Sequence, residues 1–285
     1  MLLSLSASLL PVAVLASALI GACVGSFLNL VAWRLPRQES VLRPGSHCPR
    51  CGTPLGWFEL VPVLSWLLQR GRCRHCQAPV RPRYPAVELL TAGLFVATAI
   101  GQPSALQGAP PLLELLAGWM LVSLLLPLLL IDLDHLWLPE PLCRWGVLLG
   151  LGITAVAGFS HGNAPGREAL LGHLLATSTG LLGFEAVSAA GARLLGKPAL
   201  GLGDAKLAAL LGAWLGLSGL GLALTLAVFS GAGFSLIGLL SGRLKRGQPF
   251  PFGPFLAGAG LALWVGGNGL WLDLLQPLLG GWLSG

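Results

Sequence analysis

Long apolar runs separated by short polar stretches make up most of the chain. Eight runs are candidates to cross a membrane as helices, at 10–33, 85–101, 112–131, 142–159, 169–192, 204–217, 219–241 and 254–281. A helix rising about 1.5 Å per residue needs roughly 20 apolar residues to cross about 30 Å of hydrocarbon. The run at 204–217 is the shortest and is interrupted by glycine. One stretch breaks the pattern: over 34–84, arginine, proline and glycine replace the apolar runs on either side. The expectation is an all-α polytopic membrane protein of about eight transmembrane helices. Its parts are a first helix within 1–33, a small loop domain at 34–84, and a transmembrane core over 85–285.

Composition agrees, since 54% hydrophobic and 10% charged residues over 285 positions leave too little polar surface for a soluble globule. Charge then sets the orientation, because basic flanks stay cytoplasmic. Of the 17 lysines and arginines, nine lie from Arg34 to Arg83, and Arg144, Arg193, Lys197, Lys206, Arg243, Lys245 and Arg246 fall on the same side. Arg167 alone lies on the other. This places both termini in the periplasm and the 34–84 loop in the cytoplasm. The N-terminal apolar run has no basic n-region and is too long for a secretory signal, so it reads as an uncleaved span. The net charge of +6 fits contact with anionic lipid headgroups, whereas no basic helix or aromatic platform points to nucleic acid. The 41 glycines mostly serve close helix packing.

Within the loop, Cys48-Pro-Arg-Cys51 and Cys73-Arg-His-Cys76 form two CxxC knuckles twenty-one residues apart. Two such knuckles can present four thiolates tetrahedrally, the arrangement zinc prefers, and a reducing cytoplasm disfavours disulfides. A closed four-sulfur site leaves no position for water or substrate, so the expected role is structural. His47 and His75 flank the ligands as solvated neighbours or substitutes. Cys23 and Cys143 sit in apolar runs as small packing residues.

Ionisable residues at membrane helix ends are costly and therefore functional candidates. Asp132 closes the third run and Asp204 opens the sixth, both on the cytoplasmic side, so two carboxylates can meet at one depth. Such a pair suits peptide hydrolysis: one deprotonates water while the other polarises the scissile carbonyl. The dipole at a helix N-terminus favours charge on Asp204, and at a C-terminus disfavours it on Asp132. Gly201 and Gly203 would let an extended backbone approach. The bland alternatives are an N-cap for Asp204 and an interfacial residue for Asp132. Glu88 and Lys206 are candidates to tune the pair; Asp134, His135 and Glu140 read as loop surface, and Ser26 and Asn29 as interhelical hydrogen-bonding residues.

A series of segments in order carries a resemblance: GSFLNLVAWRLP at 25–36, CPRC at 48–51, VPVLSWLLQRGRCRHC at 61–76, RPRYPAVE at 81–88, IDLDHLWLPE at 131–140, GLGDAKLAALLGAW at 201–214 and PFGPFLA at 251–257. The chain resembles the bacterial type IV prepilin peptidases, GxGD-type membrane aspartic proteases, over essentially its whole length. The resemblance implies cleavage of the short basic leader of prepilins or pseudopilins at the cytoplasmic membrane face, then N-methylation of the new terminus from S-adenosylmethionine. It places the catalytic aspartates at Asp132 and Asp204, and associates methyl transfer with Gly71 and with the GSFLN segment, including Gly25 and Asn29. Methyl transfer has no other support in the residues. Where the family commonly has LPD, this chain has Leu138-Pro139-Glu140. It implies an inner-membrane protein and leaves a homodimer open. Two other readings compete: a presenilin-type intramembrane protease, against which the knuckles argue, and a non-catalytic zinc-knuckle scaffold, which leaves both aspartates unexplained.

Overall fold

The computed structural model describes residues 10–101, 109–196, 201–245 and 250–279; the first nine residues, Lys197 and Arg246 lie outside them. The chain divides into two compact units, one ending at Ile100 and the other beginning at Gly101.

In the first unit, α1 (Leu10–Arg34) and α3 (Arg83–Ile100) pack side by side. Small or polar residues recur on α1 at four-residue spacing, Ser17, Gly21, Gly25 and Asn29, and all are buried. This spacing stacks them on one helix face. A Cβ at Gly21 would lie 2.8 Å from Ala92 Cα, and one at Gly25 would lie 2.9 Å from Glu88 Cα. The glycines therefore admit a backbone approach that no side chain would allow, the usual basis of helix association in lipid. Between the helices, the proline- and glycine-rich insert forms two 3₁₀ turns and one short helix, α2 (Leu64–Leu68).

The second unit contains α4 (Pro111–His135), α5 (Glu140–Phe159), α6 (Asn163–Leu195), α7 (Leu202–Leu240) and α8 (Gly253–Leu279). Proline opens α4 and sits at the start of α5, where a missing N–H costs nothing. Leu136, in left-handed conformation, ends α4 and donates its N–H to Asp132 O at 2.9 Å. The core of this unit is built on Leu121, Leu125, Ile131, Leu211, Trp214 and Trp264, all nearly inaccessible. The two tryptophan rings meet edge to face at 5.7 Å, and Trp214 Nε1 donates to Gly146 O at 2.8 Å. Gly180 and Gly212 lie against the backbones of Ala208 and Ala176, locking α6 to α7 at backbone distance.

Seven helices among the described residues are long and apolar enough to cross a membrane. The expected sixth and seventh spans both lie in α7, which leaves helical geometry at Gly216 (φ 68°, ψ −175°). The chain reverses there. Before the break, Leu211 packs at Gly260; after it, Gly219 lies level with Asn268 and Gly231 with Phe255. The two legs of α7 thus run in opposite directions along α8, and the eight legs foreseen are present in seven helices. A break at Gly267 (φ 71°) interrupts α8 at the corresponding level. The expected division at residue 84 differs from the structure, because α3 packs on α1 and belongs to the first unit.

Candidate functional site

Asp132 occupies the last turn of α4 and is 5% exposed. Its Oδ2 is buried without a hydrogen-bond partner among the described residues. The start of α8 closes over it: a Cβ at Gly253 would lie 2.5 Å from Oδ2 and 3.0 Å from Cγ. Only glycine fits at this position with the aspartate in place. Gly253 stands in PFGPF, a segment quoted above but assigned no role, since nothing in the sequence tells which turn it faces.

Asp204 lies in the first turn of α7, half-buried, at the same end of the unit. Gly201 is the N-cap and donates its N–H to Asp204 Oδ2 at 3.3 Å. Asp204 is therefore the third residue of its helix, in place to stabilise the helix start. The capping alternative describes part of its geometry. Gly203 rests on Leu138, with a virtual Cβ 3.1 Å from the leucine Cβ, which seats the GLGD turn on the segment following Asp132.

Lys206 and Glu140 find each other. Lys206 Nζ donates to Glu140 Oε2 at 2.8 Å, joining the first turns of α7 and α5 across 66 residues. Glu140 thus ties down the turn that carries Asp204, a role more specific than loop surface. Glu88, 7% exposed, lies in the first unit and accepts the Val63 N–H at 2.7 Å.

The four cysteines converge, their sulfurs all within 4.8 Å of one another, with Cys48 and Cys76 Sγ 3.9 Å apart. A tetrahedral site with legs of about 2.3 Å has edges of about 3.8 Å, so the donor set fits a metal ion. The knuckles repeat one geometry. Cys48 N bonds to Thr53 O and Gly52 N to Cys48 O; Cys73 N bonds to Ala78 O and Gln77 N to Cys73 O. Gly52 and Gln77 both take positive φ at the equivalent step. The Thr53 hydroxyl, 3.2 Å from Cys51 Sγ, holds that thiol down to about 6. The Cys76 and His75 amides lower Cys73. His47 Nδ1 lies 3.1 Å from Gly45 O and His75 faces Glu59, so the cysteines meet without a histidine among them. Cys143 is buried, as expected of a packing residue, whereas Cys23 is exposed on α1.

Gly71 takes φ +67°, and a Cβ there would enter the Trp66 ring at 2.8 Å. Trp66 Nε1 in turn donates to Val80 O at 3.0 Å. Asn29 Nδ2 donates to Tyr84 O at 3.1 Å, and Gly25 admits Glu88. All three residues linked with methyl transfer thus hold packing positions in the first unit.

Membrane-length helices, with the buried carboxyl of Asp132 ending one of them, and a four-cysteine knuckle pair whose sulfurs could hold a metal ion define a polytopic membrane protein with a knuckle-bearing insert. Residues 19–101 match the bacterial peptidase A24 N-terminal domain and residues 119–236 match the type IV leader peptidase family. Prepilin leader peptidase/N-methyltransferases of Aeromonas salmonicida and Neisseria gonorrhoeae are 36% and 32% identical, over 284 and 287 residues. These alignments cover 90% and 92% of this chain, and 91% and 93% of those proteins. One from Myxococcus xanthus is 44% identical over 196 residues, 69% of this chain and 54% of that protein. No solved structure matches. The chain belongs to the type IV leader peptidase family, and is a multi-pass membrane enzyme with peptidase and N-methyltransferase activities.

Proposed function

We propose that this enzyme removes the short basic leader from type IV prepilins or pseudopilins at the cytoplasmic face of the inner membrane, with Asp132 and Asp204 as its catalytic pair. The observation that carries the proposal is the burial of Asp132 Oδ2, without a hydrogen-bond partner among the described residues, at the end of α4 whose following segment, at Leu138, seats the turn bearing Asp204. A buried polar atom without a partner costs free energy that a structural role would not repay.

In this reading Asp204 draws a proton from a water held between the carboxyls. Asp132 gives a proton to the scissile carbonyl oxygen. In the collapse Asp204 passes the proton it took from water to the amide nitrogen, a diol hydroxyl returns one to Asp132, and the C–N bond breaks to free the leader as a carboxylic acid and the new amino terminus. The shared proton belongs to the pair. The Gly201 N–H on Asp204 and the Gly253 backbone against Asp132 fix each carboxyl. The glycines leave room for an extended substrate strand beside them.

Zinc is the metal proposed for Cys48, Cys51, Cys73 and Cys76. Bound there, it would organise the insert and take no part in hydrolysis. S-adenosylmethionine is the methyl donor that an N-methyltransferase of this family would use on the cleaved terminus. The 16 basic residues counted on one side support an orientation with the insert and both aspartates in the cytoplasm and both termini in the periplasm.

The test is purified enzyme with a prepilin and methyl-labelled S-adenosylmethionine, followed by mass spectrometry of the product terminus. Leader loss and label together support the reading. A cut within the apolar segment of the substrate would point to a presenilin-type protease. Unimpaired cleavage by both Asp132→Asn and Asp204→Asn would overturn the pair.

A further inference from the structure

The insert carries an apolar face on its outside. On α2, Leu64, Leu67 and Leu68 are all exposed, the last at 74%. This i, i+3, i+4 spacing puts them on one side of the helix. Trp66, on the other side, packs on Gly71 and bonds to Val80 O. The preceding 3₁₀ turn adds Trp57, 71% exposed, and Phe58, whose rings stack. A soluble lobe of this size would normally turn such residues inward, and contiguous exposed apolar surface marks a binding face.

Two further observations say what covers it. First, α2 is pinned to a membrane span. The Val63 N–H immediately before α2 bonds at 2.7 Å to Glu88 Oε2, and Glu88 lies five residues beyond the start of α3. Five residues of helix rise about 7.5 Å. Val63 holds φ +62°, a strained value for a β-branched residue, so this attachment over-determines the local backbone. The leucine face is thereby held at the level of the span's first turns. Second, positions 34 to 83 hold nine arginines against two acidic residues, Glu39 and Glu59. Arg43, Arg50, Arg70, Arg72, Arg74 and Arg81 are exposed. Exposed leucine and tryptophan in a strongly cationic lobe is the composition of an element lying in a bilayer interface with anionic headgroups.

We propose that the segment 57–68 of the insert is seated in the headgroup region of the bilayer, so that the metal-binding lobe is a membrane-docked platform and not a domain hanging free in solution. Each leucine would enter the acyl boundary while the arginines remain at the phosphates.

The test replaces Phe58, Leu68, Trp66 or Glu39, one at a time, with the photo-crosslinking residue p-benzoylphenylalanine. The full-length enzyme is reconstituted without substrate in vesicles of neutral and anionic phospholipid, irradiated, and mapped by mass spectrometry. Positions 58 and 68 should form phospholipid adducts at least about five-fold above exposed Glu39. Position 66 should crosslink within the insert. Adding Leu64→Asp and Leu67→Asp should reduce the lipid adduct at position 58. Crosslinks from 58 and 68 to residues 101–285 of the same chain, a band at twice the chain mass, or lipid adducts no greater than at Glu39 would each overturn the proposal. Retention of metal, measured on every variant, shows that the lobe remains folded.

Discussion

Adding one methyl group to the enzyme at Gly253 should slow peptide cleavage by about a hundred-fold while leaving the bundle assembled. A Cβ there would stand 2.5 Å from Asp132 Oδ2, 3.0 Å from Cγ and 3.4 Å from Cβ. Carbon and oxygen atoms in ordinary contact are about 3.3 Å apart, so the carboxyl must give way by about 0.8 Å or the start of α8 must lift. Misplacing a catalytic group by about 1 Å costs on the order of 10² in rate, roughly 2.7 kcal/mol of barrier. The packing penalty is separate, about 1–3 kcal/mol for an extra methyl in a tight site. The assay is Gly253→Ala beside wild type in proteoliposomes, following loss of the leader by gel shift at saturating prepilin. Thermal unfolding in the same lipid reads the packing cost, and methylation of a pilin whose leader has already been removed reads the other activity. Slow cleavage with preserved methylation and a modest fall in melting temperature is the expected pattern. A wild-type cleavage rate would refute the reasoning, because the position of the Asp132 carboxyl would then not matter to hydrolysis.

Asp132→Asn and Asp204→Asn should each lower cleavage by about three orders of magnitude or more without unfolding the protein, measured by leader loss and by thermal melting. Glu140→Gln should have little effect on stability: with Lys206 38% and Glu140 65% exposed, their pair is worth less than about 1 kcal/mol. Its effect on cleavage should stay within about five-fold, and a hundred-fold loss would assign Glu140 to the chemistry. The purified chain should hold one zinc, read by elemental analysis, and Cys73→Ser should lose it and expose the insert to protease. Protons compete with metal for thiolates, so the zinc should remain at pH 7 and be lost progressively on acidification, read by elemental analysis across a pH series. Gly71→Ala should destabilise the insert and release Trp66, seen as a change in tryptophan emission, because both φ +67° and the 2.8 Å approach forbid a side chain.

Much of this arrangement was legible in the sequence because membranes and metals impose simple rules. Backbone polar groups in lipid must bond within a helix, so apolar runs announced the spans. Two CxxC pairs announced the four-sulfur cluster for a similar reason, since few other arrangements place thiols at that spacing in a reducing compartment. The reversal at Gly216 was half visible, as a short glycine-broken run at 204–217. Contacts between distant segments were not legible. Nothing local says that Lys206 reaches Glu140, that Gly253 faces Asp132, or that Glu88 takes the Val63 amide. Each is a property of packing between elements, and each involves a residue that would be unremarkable alone. Gly25, Asn29 and Gly71 illustrate the converse: the packing each provides is evident only with its neighbour in place.

The glycine breaks carry a consequence for the lipid. The legs at 202–215 and 253–266 each hold fourteen residues, about 21 Å of helix, before leaving helical geometry. Hydrocarbon about 30 Å thick exceeds that by about 9 Å. Relieving the mismatch requires the bilayer to pinch inward beside these legs, or the leg ends to lie recessed below the surface. Where the recess falls at the end that opens each leg, Asp204 and Gly253 sit at the floor of a dimple. Under the proposed function, such a dimple would let solvent reach the cleavage point while the substrate's apolar segment stays in the bilayer.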